Sequence, residues 1–479
     1  MPPRKSVAFL LFLMIPTAVH RVTSQPRIRA RGCWRVAVAA LIFGLMAGSP
    51  SVAQDRPAAA PGKESGGPAG GYRIKATFAN PETCSYATRG IFIIWWDKQC
   101  DYRRQAEEAL DTFVEVQKEC VETWHMSDPP GPLAGYYYNI YLFNGSDCFK
   151  EHKWGMGQGT DTNGFPFLTL PLGSAKSGSP GIYHEGLHIF QYLAKDVSPM
   201  FTYTGDGKWI IEASANWYAA RKHPGHKADY ITASTITANP QLPMWYTYEN
   251  REEGDEKNWQ RINHLYGIHT FLNYLTDVRH EPAGVVLEGF YAGTKDLPQE
   301  YLSRRIGADK FADYFADFAA HNVSGFPHFP PGVEERAARE LKDYGNPRDI
   351  HDVVRTCTNE GTGGAWVRPP KEFATRGWSY NVYKINNSTD ATYTLQLKGD
   401  SKGSEGAPAA FRGRIVVRTG RDFRVEPLTM SSATDGSGRV TVKAPDEEVY
   451  LVVASTPPFF TGNQIYSYQV LINREGAGG

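Results

Sequence analysis

Two histidines and a glutamate that lie close together carry the most informative chemistry in this sequence. The segment reads Tyr183-His184-Glu185-Gly186-Leu187-His188. Residues four positions apart lie on one face of a helix, so His184 and His188 can ligate the same metal ion. Glu185 follows the first histidine directly and can reach water at an open metal position. The pattern predicts a helical zinc site, and a helix that merely buries two histidines is the alternative.

A third ligand decides between classes of zinc site. The metzincin pattern requires glycine and histidine where this chain has Gln191 and Ala194, which excludes that class. A second helix is predicted to begin at Trp209, and it contains Glu212 between apolar and small residues. A buried carboxylate in such a helix needs a partner, and a metal ion is the obvious one. Two histidines, one glutamate and a water form a catalytic zinc set.

The two motifs, HEGLH and WIIEASA, resemble those of the gluzincin metallopeptidases. The resemblance implies one zinc ion bound by His184, His188 and Glu212, with Glu185 as general base for peptide hydrolysis, and we expect an endopeptidase. It implies an α+β zincin-like catalytic domain with a mixed or antiparallel sheet. The C-terminal strand pattern and the Tyr266-Gly267 step also resemble the Svx/AvrXca-type secreted virulence proteins of plant-associated bacteria.

The gluzincin resemblance suggests roles for three further features. Tyr266 corresponds to the tyrosine or histidine that donates to the developing oxyanion. Asn216 lies where several gluzincins have an acid that orients the first zinc histidine, so here a neutral amide would do this. Residues 165–170 precede the zinc helix and are expected to form an edge strand that pairs with a peptide substrate. Residues 155–164 are glycine-rich and are interpreted as a loop that lines the cleft or connects strands.

Charge and composition narrow the partners and the location. The chain has 51 basic and 51 acidic residues, and this balance argues against nucleic acid as a partner. Residues 1–53 combine basic residues, a short apolar run and Ser51-Val52-Ala53, which is typical of a signal peptide. We therefore expect a secreted protein, extracellular or periplasmic, with no membrane span after cleavage. The expected partner is a protein or peptide substrate, such as a host extracellular protein.

The cysteines fit an exported protein. None of the six cysteines lies in a CxxC motif, which argues against a thiolate metal site. Cys33 lies in the predicted signal peptide, so five cysteines remain after cleavage. Outside the cytosol thiols tend to pair, and we expect Cys84 to bond Cys100 and Cys120 to bond Cys148. Cys357 is then free or pairs between chains.

Hydrophobic periodicity predicts the elements that position these residues. Residues 54–71 are predicted to be a flexible linker, and residues 72–367 the gluzincin-like domain. Its predicted strands cover residues 91–96, 136–143 and 165–170, and its predicted helices begin near Asp101 and cover residues 182–195, 209–222, 263–278 and 301–321. From residue 368 to 475, short alternating runs predict a separate β-sandwich without catalytic residues, because no histidine follows His351.

A second function of a different class is consistent with the same sequence. The zinc site could be structural in a secreted binding or adhesin-type protein, with sandwich aromatic residues that hold a glycan or a host protein. These aromatic residues are Trp378, Tyr380, Phe459 and Phe460. Glu185 favours the enzyme, because a structural site does not require a carboxylate there.

Overall fold

The computed structural model describes residues 71–145, 149, 154–176, 178–223, 234–247, 249, 259–323, 365–385, 389–420 and 422–475. The predicted signal peptide, the predicted linker up to residue 70, and Cys148 and Cys357 lie outside these residues. Within them, no helix has the length and apolar character needed to cross a membrane.

The N-terminal region contains one five-stranded mixed sheet. Its strands are β1 (Cys84–Arg89), β2 (Phe92–Asp97), β3 (Tyr138–Phe143), β4 (Gly157–Thr160) and β5 (Pro166–Pro171), in the order β1-β2-β3-β5-β4. The three central strands are parallel, and β1 and β4 pair antiparallel at the two edges. The central strands are almost entirely buried, as their continuous apolar sequences predict. Sequence periodicity predicts β2, β3 and β5 but misses β1 and β4.

Twelve α-helices are present among the described residues. They are α1 (Arg103–Lys118), α2 (Pro130–Leu133), α3 (Pro180–Gln191), α4 (Ala194–Val197), α5 (Trp209–Lys222), α6 (Ser234–Ala238), α7 (Trp259–Ile262), α8 (His264–Gly267), α9 (His269–Asn273), α10 (Gly284–Leu287), α11 (Pro298–Ile306) and α12 (Ala308–Val323). The predicted helix 263–278 is a series of short segments that ends in a π-helical turn, Tyr274–Val278. The predicted helix 301–321 is two helices, because Gly307 interrupts it. Asp101 does not cap α1, which begins after Tyr102 without a side-chain cap.

Helices α1, α3 and α5 pack together beside the sheet. Gly186 lies where α3 approaches α1, since a Cβ there would be 3.3 Å from a methyl carbon of Val116. At the C-terminal end of α5, Lys222 forms ion pairs with Glu115 of α1 and with Glu119 of the turn that follows α1. The middle helix, α3, is therefore held between two neighbours, and α3 carries the HEGLH motif.

The C-terminal region consists of two four-stranded antiparallel sheets. The strands are β6 (Ser379–Ile385), β7 (Ala391–Gly399), β8 (Phe411–Thr419), β9 (Asp422–Pro427), β10 (Thr429–Met430), β11 (Asp435–Val442), β12 (Glu448–Ser455) and β13 (Tyr468–Arg474). One sheet has the order β6-β12-β8-β9 and the other β10-β11-β7-β13. Side chains from both sheets, including Leu395, Ile415 and Leu451, form one core between them. The all-β character that the sequence predicts for this region is confirmed.

The β6-β12-β8-β9 sheet is buried on its second face as well. Helix α12 packs against β8 and β12, and Tyr450 and Val452 belong to the same apolar core as the helical region. Arg414, which is buried, forms ion pairs with Asp313 at 2.9 Å and Asp317 at 2.6 Å on α12. The predicted domain boundary at residue 368 stays a prediction. Because the two regions share one apolar core, each is expected to stabilise the other.

The cysteines do not form the first predicted pair. Cys84 and Cys100 both lie in the part of the chain that the structure describes, and no disulfide joins them. Cys120 is completely buried in the turn after α1, where burial raises the pKa of its thiol well above the usual value. Its predicted partner, Cys148, lies outside the described residues.

Candidate metal centre

The three predicted metal ligands converge at one point between α3 and α5. His184 Nε2 lies 3.1 Å from His188 Nε2. Glu212 Oε2 lies 3.4 Å from His184 Nε2 and 3.3 Å from His188 Nε2. The structure therefore brings together the residues that the HEGLH and WIIEASA motifs indicate, and they form a candidate metal site.

The donor set fits a small divalent cation. Ligands about 2.0–2.1 Å from a tetrahedral zinc ion lie about 3.3–3.4 Å from one another, which is close to the three separations here. Glu212 Oε2 is buried without a hydrogen-bond partner, although a buried carboxylate oxygen usually has one. Two imidazole nitrogens and one carboxylate oxygen are also common zinc ligands. A cation at this point would satisfy all three atoms.

Each histidine is oriented by a neutral amide on its other ring nitrogen. His184 Nδ1 lies 2.8 Å from Asn216 Oδ1, and His188 Nδ1 lies 2.7 Å from Gln191 Oε1. An amide oxygen only accepts hydrogen bonds, so each Nδ1 carries the proton and each Nε2 presents a lone pair to the centre. The predicted contact of Asn216 with the first histidine is therefore present.

Gln191 also connects the two helices that carry the ligands. Its Nε2 donates to Ser214 Oγ at 2.8 Å on α5, and both side chains are buried. The amide cannot rotate without losing a bond to either His188 or Ser214. Sequence reasoning used Gln191 only to exclude another class of site, although its position three residues after His188 places it on the same helix face.

Electrostatics in the centre favour a bound positive charge. Burial alone would raise the pKa of Glu212, but His188 and His184 hold it well below its usual range. Burial alone would lower the pKa of His188, but Glu212 raises it, to about 9. The buried carboxylate therefore favours a positive charge at this point, which a proton on His188 or a metal ion would supply. A divalent cation would replace that proton.

Glu185 lies on α3 between the two histidines and is 7% exposed. Burial raises the pKa of its carboxyl, the two histidines partly offset this, and Glu212 raises it again. The result is a carboxyl with a pKa above its usual value, which is a property of groups that accept and return protons.

Two tyrosines flank the two histidines. The ring of Tyr266 stacks on His184 at a centroid distance of 6.4 Å, and its backbone oxygen accepts a hydrogen bond from Asn216 Nδ2 at 3.2 Å. The structure therefore places Tyr266 at the centre, as the sequence predicts. Tyr203 lies beside His188 at 6.2 Å, and sequence reasoning missed it because the segment between α4 and α5 has no motif.

The edge strand next to the centre is not the one that the sequence indicates. β5, predicted as the edge, lies between β3 and β4, and β4 is the outermost described strand on this side. β4 forms from the glycine-rich segment interpreted as a loop, and Gln158 within it donates to the backbone oxygen of Glu185 at 3.4 Å. The sequence does not reveal this edge strand, because glycine lacks the side chains that produce an alternating pattern. Only the order of the strands in the folded sheet shows it.

The chain belongs to the family of unknown function DUF6055, whose profile matches residues 91–469. No curated protein matches the chain. Among solved structures it is similar to a family GH115 4-O-methyl-α-glucuronidase with specificity for decorated arabinogalactans, at 8% identity and a TM-score of 0.14, over 71% of this chain and 52% of that enzyme. The chain thus spans about half the length of that enzyme, and so low a TM-score supports no inference. Function must be argued from the site.

Proposed function

We propose that the protein is a secreted zinc-dependent peptidase of the gluzincin type. His184, His188 and Glu212 would hold the zinc ion, and Glu185 would act as general base. The observation that carries the proposal is the convergence of three donor atoms at 3.1–3.4 Å beside a buried fourth group, the carboxyl of Glu185. A purely structural site needs the three donors but not the fourth group.

The metal and the chain would contribute different parts of the chemistry. A zinc ion, when bound, would supply Lewis acidity, which acidifies water and polarises a carbonyl. Glu185 would take a proton from water and return it to the leaving amine, a transfer favoured by a pKa raised towards neutrality. Gln191 and Asn216 would keep the two imidazoles in the tautomer that binds metal.

The substrate would be an extended peptide that pairs with β4. An edge strand offers a row of backbone donors and acceptors to which a peptide can add as a further strand. Gln158 and Thr160 of β4 contact α3 and the adjoining Tyr192, so this edge runs beside the metal helix. Glycines at 157 and 159 leave the edge without bulky side chains on one face.

Tyr266 would donate to the oxyanion that develops on the scissile carbonyl. Tyr203 is the competing donor, because its ring lies 6.2 Å from that of His188. Replacing each by phenylalanine separates the two: loss of kcat of about 10²-fold or more is expected for Tyr266→Phe and a smaller loss for Tyr203→Phe.

The alternative function, a binding protein, has less support from the sandwich aromatic residues that would hold the ligand. Trp378 and Tyr380 are 2% and 3% exposed, and Phe460 stacks on Trp378. Trp378 and Tyr380 therefore serve the junction between the two regions and offer no open platform for a ligand, whereas Phe459 and Phe460 are partly buried.

Hydrolysis of an unstructured protein substrate tests the proposal. Wild-type protein should cleave it, a chelator should stop cleavage, and added zinc should restore it. Glu185→Gln keeps the shape of the side chain but cannot accept a proton, so it should bind zinc normally and lose at least about 10²-fold in rate. Cleavage at the wild-type rate by Glu185→Gln would show that Glu185 is not the base.

A further inference from the structure

The connection between β12 and β13 leaves the sandwich and contacts the helical region. We call residues 457–462 the junction loop. Gly462 N donates to Asp206 Oδ2 at 2.9 Å, and the hydroxyl of Thr461 donates to the same oxygen. In the opposite direction, Trp245 Nε1 donates to Gly462 O at 2.9 Å. Gly462 has a φ of 76°, a conformation that suits glycine, so both of its backbone groups can point to these partners.

A buried glutamine makes a second link from the same loop. Gln299 on α11 donates through Nε2 to the backbone oxygen of Phe460 at 2.7 Å. Its Oε1 accepts from Trp209 Nε1 at 2.8 Å. Gln299 and Trp209 are both 0% exposed, so neither bond can be replaced by water without opening the core.

The junction loop is itself firmly held by the sandwich side. Phe460 stacks on Trp378 with centroids 5.1 Å apart, and Trp378 Nε1 donates to Pro457 O at 3.1 Å. Trp378 has a φ of 54°, which is unfavourable for a non-glycine residue and persists only where packing fixes it. Phe311 of α12 supplies part of that packing at 4.8 Å.

Both links end at the start of α5. Asp206 lies in the turn Gly205–Gly207, which leads into α5, and Trp209 is the first residue of that helix. Glu212 follows Trp209 by three residues, within one helical turn. The other side of the turn is fixed by Glu249, which accepts from Gly205 N at 2.8 Å and Lys208 Nζ at 2.9 Å. These contacts together determine where the first turn of α5 lies.

We propose that the junction loop is a positioning element of the metal centre, acting through Asp206, Gln299 and Trp209 on Glu212. The inference rests on the proposed metal site. A metal site requires its ligands to be placed within about 0.5 Å, so a small displacement of the first turn of α5 alters the site. The sandwich would then act on the metal chemistry without contributing a ligand.

Two measurements test the inference. The first is zinc affinity, measured by competition with a chelator, and the second is the absorption spectrum of the cobalt(II)-substituted protein. Replacing a residue that contacts a metal ligand directly typically lowers metal affinity 10–100-fold. The junction loop does not contact the ligands, so a smaller loss is expected. Thr461→Val should lower zinc affinity about fivefold and Gln299→Leu about tenfold. Both should change the cobalt spectrum. Thr461→Ser retains the hydroxyl and should behave as wild type.

Thr392→Val is the matched control. It removes the bond between Thr392 Oγ1 and Thr441 Oγ1, 2.9 Å apart, on the other sheet of the sandwich. It should leave zinc affinity and the cobalt spectrum unchanged. Wild-type affinity and spectrum in both Thr461→Val and Gln299→Leu, while wild type binds zinc, would overturn the inference alone. Equal losses in Thr392→Val would also overturn it, because the effect would then be general destabilisation. Absence of zinc binding in wild type would overturn the proposed function and this inference with it.

Discussion

Two clusters of charged side chains, each around a buried residue, differ in how they are neutralised. At the junction between the regions, buried Arg414 has two carboxylates within 2.9 Å, Asp313 and Asp317. At the metal centre, Glu212 keeps a buried oxygen without a hydrogen bond, 3.3–3.4 Å from two imidazole nitrogens. The first cluster is complete in the protein alone, because arginine guanidinium groups pair its carboxylates. The second is incomplete in this sense, because its carboxylate oxygen meets only imidazole nitrogens, at the spacing of metal ligands. A completed cluster indicates structure, and one with metal-ligand spacing indicates a ligand.

The largest effect is expected from removing the charge at the incomplete cluster. Glu212→Gln keeps the shape but replaces the anionic ligand by an amide. Zinc affinity should fall by more than the 10–100-fold typical of residues outside the ligand set, so we expect more than about 100-fold. Chelator competition measures this, and affinity within tenfold of wild type would remove Glu212 from the ligand set.

The completed cluster should show the opposite behaviour. Arg414→Met should lower the free energy of unfolding by about 1–3 kcal/mol, because it removes charge-assisted hydrogen bonds to Asp313 and Asp317. The loss is moderate, because Asp313 is half exposed and keeps Arg412 at 3.4 Å, and Asp317 keeps Arg279 at 3.7 Å. Direct zinc ligation should be unaffected.

Arg439→Met is the matched control, since Arg439 is exposed with Glu475 at 2.7 Å, and it should leave stability almost unchanged. Denaturant unfolding measures both, and equal effects would contradict the distinction.

Substitutions of Gln191 test how far zinc affinity depends on the orientation of His188. Gln191→Leu removes the acceptor at His188 Nδ1 and the bond to Ser214, so zinc affinity should fall about 10–100-fold with the fold intact. Gln191→Glu retains an acceptor and should recover most of the loss. If Gln191→Leu binds zinc as wild type does, the orientation of His188 does not depend on this bond.

A smaller effect is expected from a partly buried histidine at the junction. His321 packs between Tyr274 and Phe423, and burial lowers its pKa to about 4, with Asp317 and Arg279 acting in opposite directions. The unfolded chain has a histidine pKa of about 6.5, so it binds more protons than the folded chain between these values. Stability is therefore full above about pH 6.5 and falls as the pH drops towards 4. His321→Gln should reduce that fall by about 1–2 kcal/mol in unfolding experiments at pH 7 and pH 4.5. An unchanged pH dependence would contradict this account.

The sequence predicts the convergence of the three candidate ligands because much of their arrangement is local. His184, Glu185 and His188 depend only on helical spacing, and Glu212 lies in a second helix whose bounds, Trp209–Lys222, are those predicted. The edge strand could not be predicted, because strand order depends on pairing between distant segments. The zinc-binding function, export and the gluzincin relation stay predictions.

The common core illustrates a signal that was present in the sequence. β12 is buried along nearly its whole length, and its apolar run from Val449 to Ala454 does not alternate. A strand in a sandwich with one solvated face would alternate, so this run indicates burial on both faces. The apolar run does not indicate which element packs on the second face of the sheet, and in the structure this element is α12.

Metal content measures the central claim most directly. Protein purified without chelators, and then dialysed against trace zinc, should contain about one zinc per chain by elemental analysis. A variant with both His184→Ala and His188→Ala should contain none under the same conditions while remaining folded. One zinc in wild type and none in the variant is the predicted result. A folded wild-type protein without zinc, or a variant with as much zinc as wild type, would contradict the account.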